Sequence, residues 1–186
     1  FGKSSHTKPQ LFLYINVGIN YEKSVMEIEE LKIKIDSLKS DNLSLGYSEL
    51  NFATTETLSE FQLGYSIDPN GKSLTGEKDG DWNENWIVIS RDDLGEPHFV
   101  DLKNGKIYTA MHGQGDWEPD LISISLEKYI ETINFLFELS KNRDNPVDLE
   151  NNPITQNEIE QFEKFIEEAN NGEVEFYEWE NWVENE

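Results

Sequence analysis

The sequence predicts an α+β fold: a mainly antiparallel twisted sheet with helices packed on one face, plus an acidic helical C-terminal extension. Strand-like runs cluster in the middle of the chain, and short turn signals join neighbouring runs. Amphipathic helical stretches flank these runs, whereas a parallel sheet would require strands and helices to alternate regularly. These observations together favour α+β over α/β.

The central strands form a predicted three-stranded meander. The runs Trp86–Ser90, His98–Leu102 and Lys106–Met111 are rich in aromatic and β-branched residues, which suit a half-buried pleated surface. Gly and Pro within residues 94–97 indicate a turn between the first two runs. Asn-Gly within residues 103–106 predicts a type I′ hairpin turn, which requires positive φ at both central residues.

The N-terminal part is predicted to contain one helix and two further strands. Apolar residues recur at three- and four-residue steps from Tyr21 to Lys39, with Asn20 as the N-cap. Leu11–Ile19 is apolar and fits either a strand or the beginning of a helix, but it is half the length of a membrane span of about 20 residues. Ser48–Ala53 and Phe61–Ile67 are the strand candidates.

Two more helices are predicted after the meander. The first runs over Ile122–Ser140, with Ser125 as N-cap, and a linker of Asn, Asp and Pro follows at Asn142–Asn152. The second runs over Gln156–Asn170, and Thr155 with Glu158 matches a capping box.

The chain ends in a stretch that alternates acidic and aromatic residues. Gly172 is the predicted stop of the preceding helix. Glu173–Glu186 is expected to add an edge strand or to dock on the sheet, because so aromatic a tail favours burial.

The length of 186 residues fits one domain with appendages. We expect residues 1–44 to form a strand and helix segment of this domain, residues 45–142 its core, and residues 143–186 the acidic helix and aromatic tail. The absence of cysteine excludes disulfides and thiolate catalysis and favours a reducing, cytoplasmic location.

The net charge of −23 argues against nucleic acid and anionic membranes as partners and favours a basic protein. The charge is uneven. Residues 144–186 carry fourteen acidic residues and one basic residue, Lys164, whereas residues 45–143 carry eighteen acidic and eight basic residues. A solvated face that keeps the protein soluble is the simplest interpretation of such a run.

No motif predicts a nucleotide, a metal or another cofactor. Gly71–Ser73 resembles the end of a phosphate-binding loop, but Ser66 stands where that motif requires glycine. The loop from Asp79 has Glu84 and Ser90 where a calcium loop requires glycine and glutamate. We therefore predict no metal ligands and no catalytic residues.

The histidines are the residues on which an alternative function, that of an enzyme, would depend. His98 and His112 flank adjacent predicted strands, and with Asp101 or Asp116 they make a metal or acid–base cluster on paper. Their spacing matches no zinc signature, so a structural role is preferred. An enzyme with an unrecognised carboxylate or histidine site stays open as an alternative function.

The central region resembles the SUKH superfamily, which includes bacterial immunity proteins and yeast regulators of cell-wall assembly. The features that carry the resemblance are the tryptophan-led strand at Trp86, the Asp-Leu-Gly turn at 93–95, Phe-Val-Asp-Leu at 99–102, His-Gly-Gln-Gly-Asp-Trp at 112–117, and the helix start at 122–130. They lie between Leu45 and Leu139.

The resemblance implies a non-catalytic protein that neutralises a toxin, often a nuclease, by direct contact. A regulatory scaffold module is the other function that it suggests. Because a nuclease must attract phosphate, its surface is basic and an acidic inhibitor is complementary to it. The candidate partner-binding residues are Glu160, Glu163, Glu167, Glu168, Trp179, Trp182, Asp92 and Asp93.

Overall fold

The structure is a computed structural model, and it describes residues 26–113 and 115–183. The helices are α1 (Ile28–Ile35), α2 (Leu126–Leu139), α3 (Pro146–Asn151), α4 (Gln156–Ala169) and α5 (Tyr177–Glu180). The strands are β1 (Asn42–Leu45), β2 (Ser48–Phe52), β3 (Trp86–Asp92), β4 (Pro97–Asp101), β5 (Ile107–Thr109) and β6 (Asp120–Ser123). Each strand pairs antiparallel with the next, in the order β1-β2-β3-β4-β5-β6. The predicted α+β class is confirmed.

The sheet contains the three predicted strands of the meander, the strand predicted at Ser48–Ala53, which is β2, and two strands that were not predicted. β1 has only four residues, and β6 lies where the helix predicted at Ile122–Ser140 was expected to begin. That helix begins at Leu126 instead, because the Ser125 side chain accepts the backbone N–H of Lys128 as an N-cap. The extended chain before Ser125 is then free to pair with β5.

The turn between β4 and β5 differs from the predicted type I′ geometry. Positive φ occurs at Gly105 (72°) and not at Asn104. The carbonyl of Asp101 accepts both the Asn104 N–H (3.2 Å) and the Gly105 N–H (2.7 Å). The Asp101 carboxylate also accepts the N–H of Lys103 at 2.8 Å. The connection is thus longer than the two-residue loop of a type I′ hairpin, and Asp101 stabilises it by accepting these hydrogen bonds. Only the glycine in it takes a left-handed conformation.

One face of the sheet packs against α2, whose Tyr129, Ile133 and Leu136 are buried. The rings of Phe52 and Phe137 lie 6.1 Å apart across this interface. Helices therefore cover this face, as predicted.

The Lys34–Glu127 ion pair joins helix α1 to α2, and the Lys39–Glu138 ion pair joins the segment after α1 to α2. Helix α1 ends at Ile35 rather than at Lys39, since the N–H groups of Ser37 and Leu38 donate to carbonyls only three residues earlier, at 3.0 and 3.1 Å. The Asp36 carboxylate accepts the Thr55 N–H at 2.8 Å at this end of the helix. The predictions for Leu11–Ile19, for Asn20 and for residues 21–25 lie outside the described residues.

The segment between β2 and β3 covers the opposite face of the sheet. Trp82 is fully buried, and its ring meets Phe99 (5.0 Å) and Trp117 (4.9 Å) edge-on. The strand predicted at Phe61–Ile67 is wrong, since these residues form turns with isolated bridges. Their apolar side chains fill the space over the sheet instead of joining it.

The predicted linker Asn142–Asn152 contains helix α3, so this prediction was also wrong. Asn145 caps the helix by accepting the Asp148 N–H at 3.0 Å, and Pro146 occupies the first helical position. Leu149 is buried, which ties this short helix to the core. A capped turn with one buried leucine gives too weak a periodic signal to be recognised from sequence.

Helix α4 confirms the prediction at its start and corrects it at its end. Thr155 and Glu158 form the capping box. The left-handed residue that stops the helix is Asn171 (φ 54°), and Gly172 follows it, donating its N–H to the Glu167 carbonyl at 2.9 Å. This pattern is a Schellman motif with asparagine at C′.

Over residues 173–183, the tail docks on β6 and adds no strand. The Trp179 indole N–H donates to the Ile122 carbonyl at 3.0 Å, and the Asn170 side-chain oxygen accepts the Ile124 N–H at 3.0 Å. These side chains cover the edge of the sheet. Within residues 26–113 and 115–183, no helix combines the length and apolarity needed to cross a bilayer.

Candidate functional site

The candidate site is the outward face of α4. Phe162, Ile166 and Ala169 recur at helical spacing and are buried, so the opposite side of the helix is directed to solvent. That side carries four exposed glutamates, Glu160, Glu163, Glu167 and Glu168. The helix therefore displays the predicted acidic residues together on a packed support.

The structure divides these glutamates into two pairs. Glu160 accepts a hydrogen bond from the Gln156 amide at 3.3 Å, and Glu168 lies 3.6 Å from the Lys164 ammonium. Glu163 and Glu167 have no ion-pair partner in the part of the chain that the structure describes. Because the Gln156 amide beside Glu160 is neutral, Glu168 is the only one of the four glutamates with an ion-pair partner among the described residues.

Glu163 and Glu167 line a shallow open groove of about 220 Å³ between α4 and the segment that follows it. The other lining residues are Ile166, Gly172, Val174 and Phe176. Ile166 and Val174 are buried and Phe176 is half-buried, so little apolar surface is open beside the two carboxylates. The alternation of acidic and apolar residues in the tail was the only sequence signal for this groove.

A buried arginine fixes the N-terminal end of α4. The Arg143 guanidinium donates to both carboxylate oxygens of Glu158, at 2.9 and 3.0 Å. It also donates to the backbone carbonyls of Leu139 (3.1 Å) and Asn152 (2.8 Å). This hydrogen bonding to Arg143 lowers the pKa of Glu158 to about 2. No local sequence pattern marks Arg143, because its role depends on elements brought together only by folding.

The predicted tryptophan anchors are not free surface groups. Trp179, one of the candidate partner-binding residues, is fully buried, and its ring packs against Tyr129 and Phe162, so its side chain is enclosed in the core. Trp182 is half-buried and packs against the core. The Trp179 indole buries more apolar area against the edge of β6 than it would on an open surface, which explains why it is enclosed.

Asp92 and Asp93 belong to the turn between β3 and β4. The Asp92 carboxylate accepts the N–H groups of Leu94 (2.9 Å) and Glu96 (2.7 Å), so it supports the turn, and burial raises its pKa. Asp93 is exposed. Among the described residues, no hydrogen bond or ion pair joins either aspartate to α4.

The structure separates the histidines that were considered for a metal or acid–base cluster. His98 is buried on the helix-covered face, where its Nδ1 lies 2.9 Å from the Tyr129 hydroxyl. His112 is exposed and its Nδ1 lies 2.9 Å from the Glu96 carboxylate. No group of three metal-ligating side chains suited to an ion occurs in the described ranges.

His98 belongs to a buried hydrogen-bonded chain that continues from Tyr129 to the Ser90 hydroxyl at 2.7 Å. Burial lowers the pKa of His98 to about 3 and raises the pKa of Tyr129. The neutral His98 imidazole and the Tyr129 and Ser90 hydroxyls thus satisfy one another's hydrogen-bonding groups beneath α2. We therefore assign this chain to the packing of α2 on the sheet.

Comparisons with models of protein families, with curated protein sequences and with solved structures find no match to this chain. The SUKH resemblance accordingly stays a prediction from the residues that carry it.

Proposed function

We propose that the protein is a non-catalytic binding module that neutralises a basic bacterial toxin domain, such as a nuclease, by direct contact. The observation that supports this proposal is the exposed acidic face of α4, where four glutamates accompany a single lysine. The face contributes directly to the high net negative charge of the chain.

The packing of α4 on the core favours electrostatic recognition by its exposed side. The apolar side of α4 belongs to the core, and the Arg143–Glu158 pair holds its first turn. Charges on such a helix are oriented before the partner arrives, so binding spends less free energy on ordering them. An array of one sign also accelerates encounter with a basic surface.

The SUKH resemblance of residues 45–139 supports the toxin as the class of basic partner. Nuclease toxins carry basic surfaces because their substrate is a polyanion. An acidic module fits such a surface and repels nucleic acid itself. The cysteine-free composition suits action in the cytoplasm.

The direct test begins with the protein encoded beside this one in its native genome. We expect that protein to carry a basic toxin domain, to arrest growth when expressed alone, and to be tolerated when this chain is coexpressed. The purified pair should associate, and the association rate should fall steeply from about 50 to about 500 mM salt, because screening shortens the reach of exposed charges.

Two charge-reversed variants locate the surface. One changes Glu160, Glu163, Glu167 and Glu168 to lysine, and the control changes the exposed Glu56, Glu60, Glu77 and Asp79 to lysine. Both alter the net charge equally, so a larger loss of association rate in the α4 variant supports its acidic face. Equal losses would contradict this assignment, and a neighbouring protein that is harmless and does not bind would contradict the function.

A further inference from the structure

We propose that Asn70 is a site of spontaneous deamidation, at which the folded protein converts an amide into a carboxylate without any enzyme. Asn-Gly is the dipeptide in which this reaction is fastest, because glycine has no Cβ to hinder the approach of its nitrogen to the asparagine side chain. The chain has three such dipeptides, at 70–71, 104–105 and 171–172. Of these three, folding leaves the first open to the reaction and restrains the other two.

The reaction takes place within the two residues and consumes one molecule of water. The Gly71 nitrogen loses its proton and bonds to the side-chain carbonyl carbon of Asn70, whose amide nitrogen takes up a proton and leaves as ammonia. Water then opens the cyclic imide at either carbonyl. The product is an aspartate, or an isoaspartate in which the main chain passes through the side-chain carbon. Either product replaces a neutral amide by a carboxylate, so the chain becomes more acidic.

Asn70 is restrained only by its own turn, and residues 69–74 are all exposed. The Gly71 N–H donates to the Asp68 carbonyl at 2.9 Å, and the Asn70 N–H donates to the Asp68 carboxylate at 2.8 Å. The hydrogen bond from the Lys72 N–H lowers the pKa of Asp68, and a smaller contribution comes from the Asn70 side chain. These contacts are local and solvated, so the turn can open without exposing a buried side chain.

The space beside this turn also suits ring closure. A Cβ added at Gly71 would meet no atom within 4 Å, so no neighbouring group obstructs the imide ring. Gly71 has a φ of 81°, a conformation that glycine adopts without strain.

Asn104 belongs to the same kind of dipeptide, in the turn between β4 and β5, but its amide is held at both ends. Its Oδ1 accepts the Lys106 N–H at 2.8 Å, and its Nδ2 donates to the Asp101 carboxylate at 3.2 Å and to the Tyr108 hydroxyl at 3.0 Å. The Gly105 N–H donates to the Asp101 carbonyl at 2.7 Å, and Gly105 is buried. Ring closure at Asn104 therefore requires all these hydrogen bonds to break.

Asn171 is exposed, but it lies between two anchored residues. Asn170 is fully buried, and its side-chain oxygen accepts the Ile124 N–H at 3.0 Å. Val174 is buried, and the Gly172 N–H takes part in the hydrogen bonding that ends α4. A rotation that brings the Gly172 nitrogen to the Asn171 side chain must disturb these anchors, so the reaction is slower there than at Asn70.

The test is to age the purified full chain in mildly alkaline buffer at body temperature and to measure deamidation at each dipeptide by peptide mapping with mass spectrometry. We expect Asn70 to react at least about tenfold faster than Asn104, with Asn171 between them. Short synthetic peptides that span the same dipeptides are the control. Without the fold to restrain them, the three peptides should react at rates within about threefold of one another.

Two variants separate the chemistry from the fold. Asn70→Gln lengthens the side chain, so the five-membered imide cannot form, and the more acidic species that accumulates in the aged wild type on isoelectric focusing should be largely absent. Asp101→Ala removes a partner of the Asn104 amide, and it should speed the reaction at Asn104 while the rate at Asn70 stays unchanged.

Equal rates at the three dipeptides of the folded chain, or a faster reaction at Asn104 or Asn171, would overturn the proposal. An aged chain that keeps Asn70 intact while the matching peptide reacts would also overturn it, because the turn would then protect the site.

Discussion

The side-chain amide of Gln62 takes the place of a neighbouring strand beside Val88. Its oxygen accepts the Val88 N–H at 3.1 Å, and its nitrogen donates to the Val88 carbonyl at 2.9 Å. The β2–β3 ladder reaches only as far as Ser90, so β2 does not pair with Val88, whose partner on the other side is Phe99 of β4. Gln62 thus satisfies backbone groups that the sheet leaves without a strand partner on this side.

Replacing Gln62 with leucine should lower the free energy of unfolding by about 2–4 kcal/mol, because two buried backbone groups lose their partners. Chemical denaturation measures this change. Gln161→Leu is the control, since Gln161 is exposed on α4 and the same substitution there should cost less than about 0.5 kcal/mol. Equal effects of the two substitutions would show that the Val88 contacts contribute nothing.

The buried His98 predicts a pH dependence of stability. Its pKa falls from 6.5 to about 3 on burial, so between these values the unfolded chain binds a proton that the native protein does not. The stability that the protein gains from keeping His98 neutral is fully present above pH 6.5 and is lost as pH falls toward 3. His98→Asn should therefore flatten the slope of unfolding free energy against pH over this range.

Denaturation series at several pH values measure the slope for His98→Asn and for the control His112→Asn, whose imidazole is exposed. The control should retain most of the wild-type slope. A wild-type slope that persists unchanged in His98→Asn would contradict burial of a neutral imidazole.

The Arg143–Glu158 pair predicts a second pH window. The lowered pKa of Glu158 stabilises the fold above the ordinary value of 4.5, and this stabilisation is lost as pH falls toward 2. Glu158→Gln keeps a capping-box residue but removes the charge. At pH 7 it should cost about 2 kcal/mol, less than for a fully buried pair because Glu158 is partly exposed.

The cost of Glu158→Gln should shrink in acid, where the wild-type carboxylate also becomes neutral. Thermal unfolding at pH 7 and near pH 2 checks this. Glu160→Gln is the matched control, since it changes an exposed glutamate of the same helix. A cost that is independent of pH would refute the charge interaction with Arg143.

Trp179 predicts that the tail contributes to stability. Trp179→Ala should lower the unfolding free energy by about 3–5 kcal/mol, because a fully buried indole leaves a cavity between β6 and the helices. Trp179→Phe keeps part of the apolar contact but loses the hydrogen bond to Ile122, worth about 1 kcal/mol, and some ring volume, so it should cost less than Trp179→Ala. Trp182→Ala, at a half-buried position, should cost less than Trp179→Ala. A loss below 1 kcal/mol for Trp179→Ala would mean that the tail is not part of the core.

Local patterns in the sequence determined the features that depend on neighbouring residues. The aromatic and β-branched runs predicted the strands of the meander, and Ser125 and the Thr155–Glu158 pair marked the beginnings of α2 and α4. The acidic composition identified the glutamates of α4 as exposed. Strand propensity and helix capping act over a few residues, so the linear chain is enough to reveal them.

Only the tertiary structure decided which side chains are enclosed and what they satisfy. Gln62 and Val88 are 26 residues apart, Trp179 and Ile122 are 57 apart, and neither pairing has a local signature. The groove beside Glu163 and Glu167 likewise depends on the chain that returns past Gly172. Burial and hydrogen-bond satisfaction are properties of neighbours in space, and residues distant in sequence become such neighbours only when the chain packs.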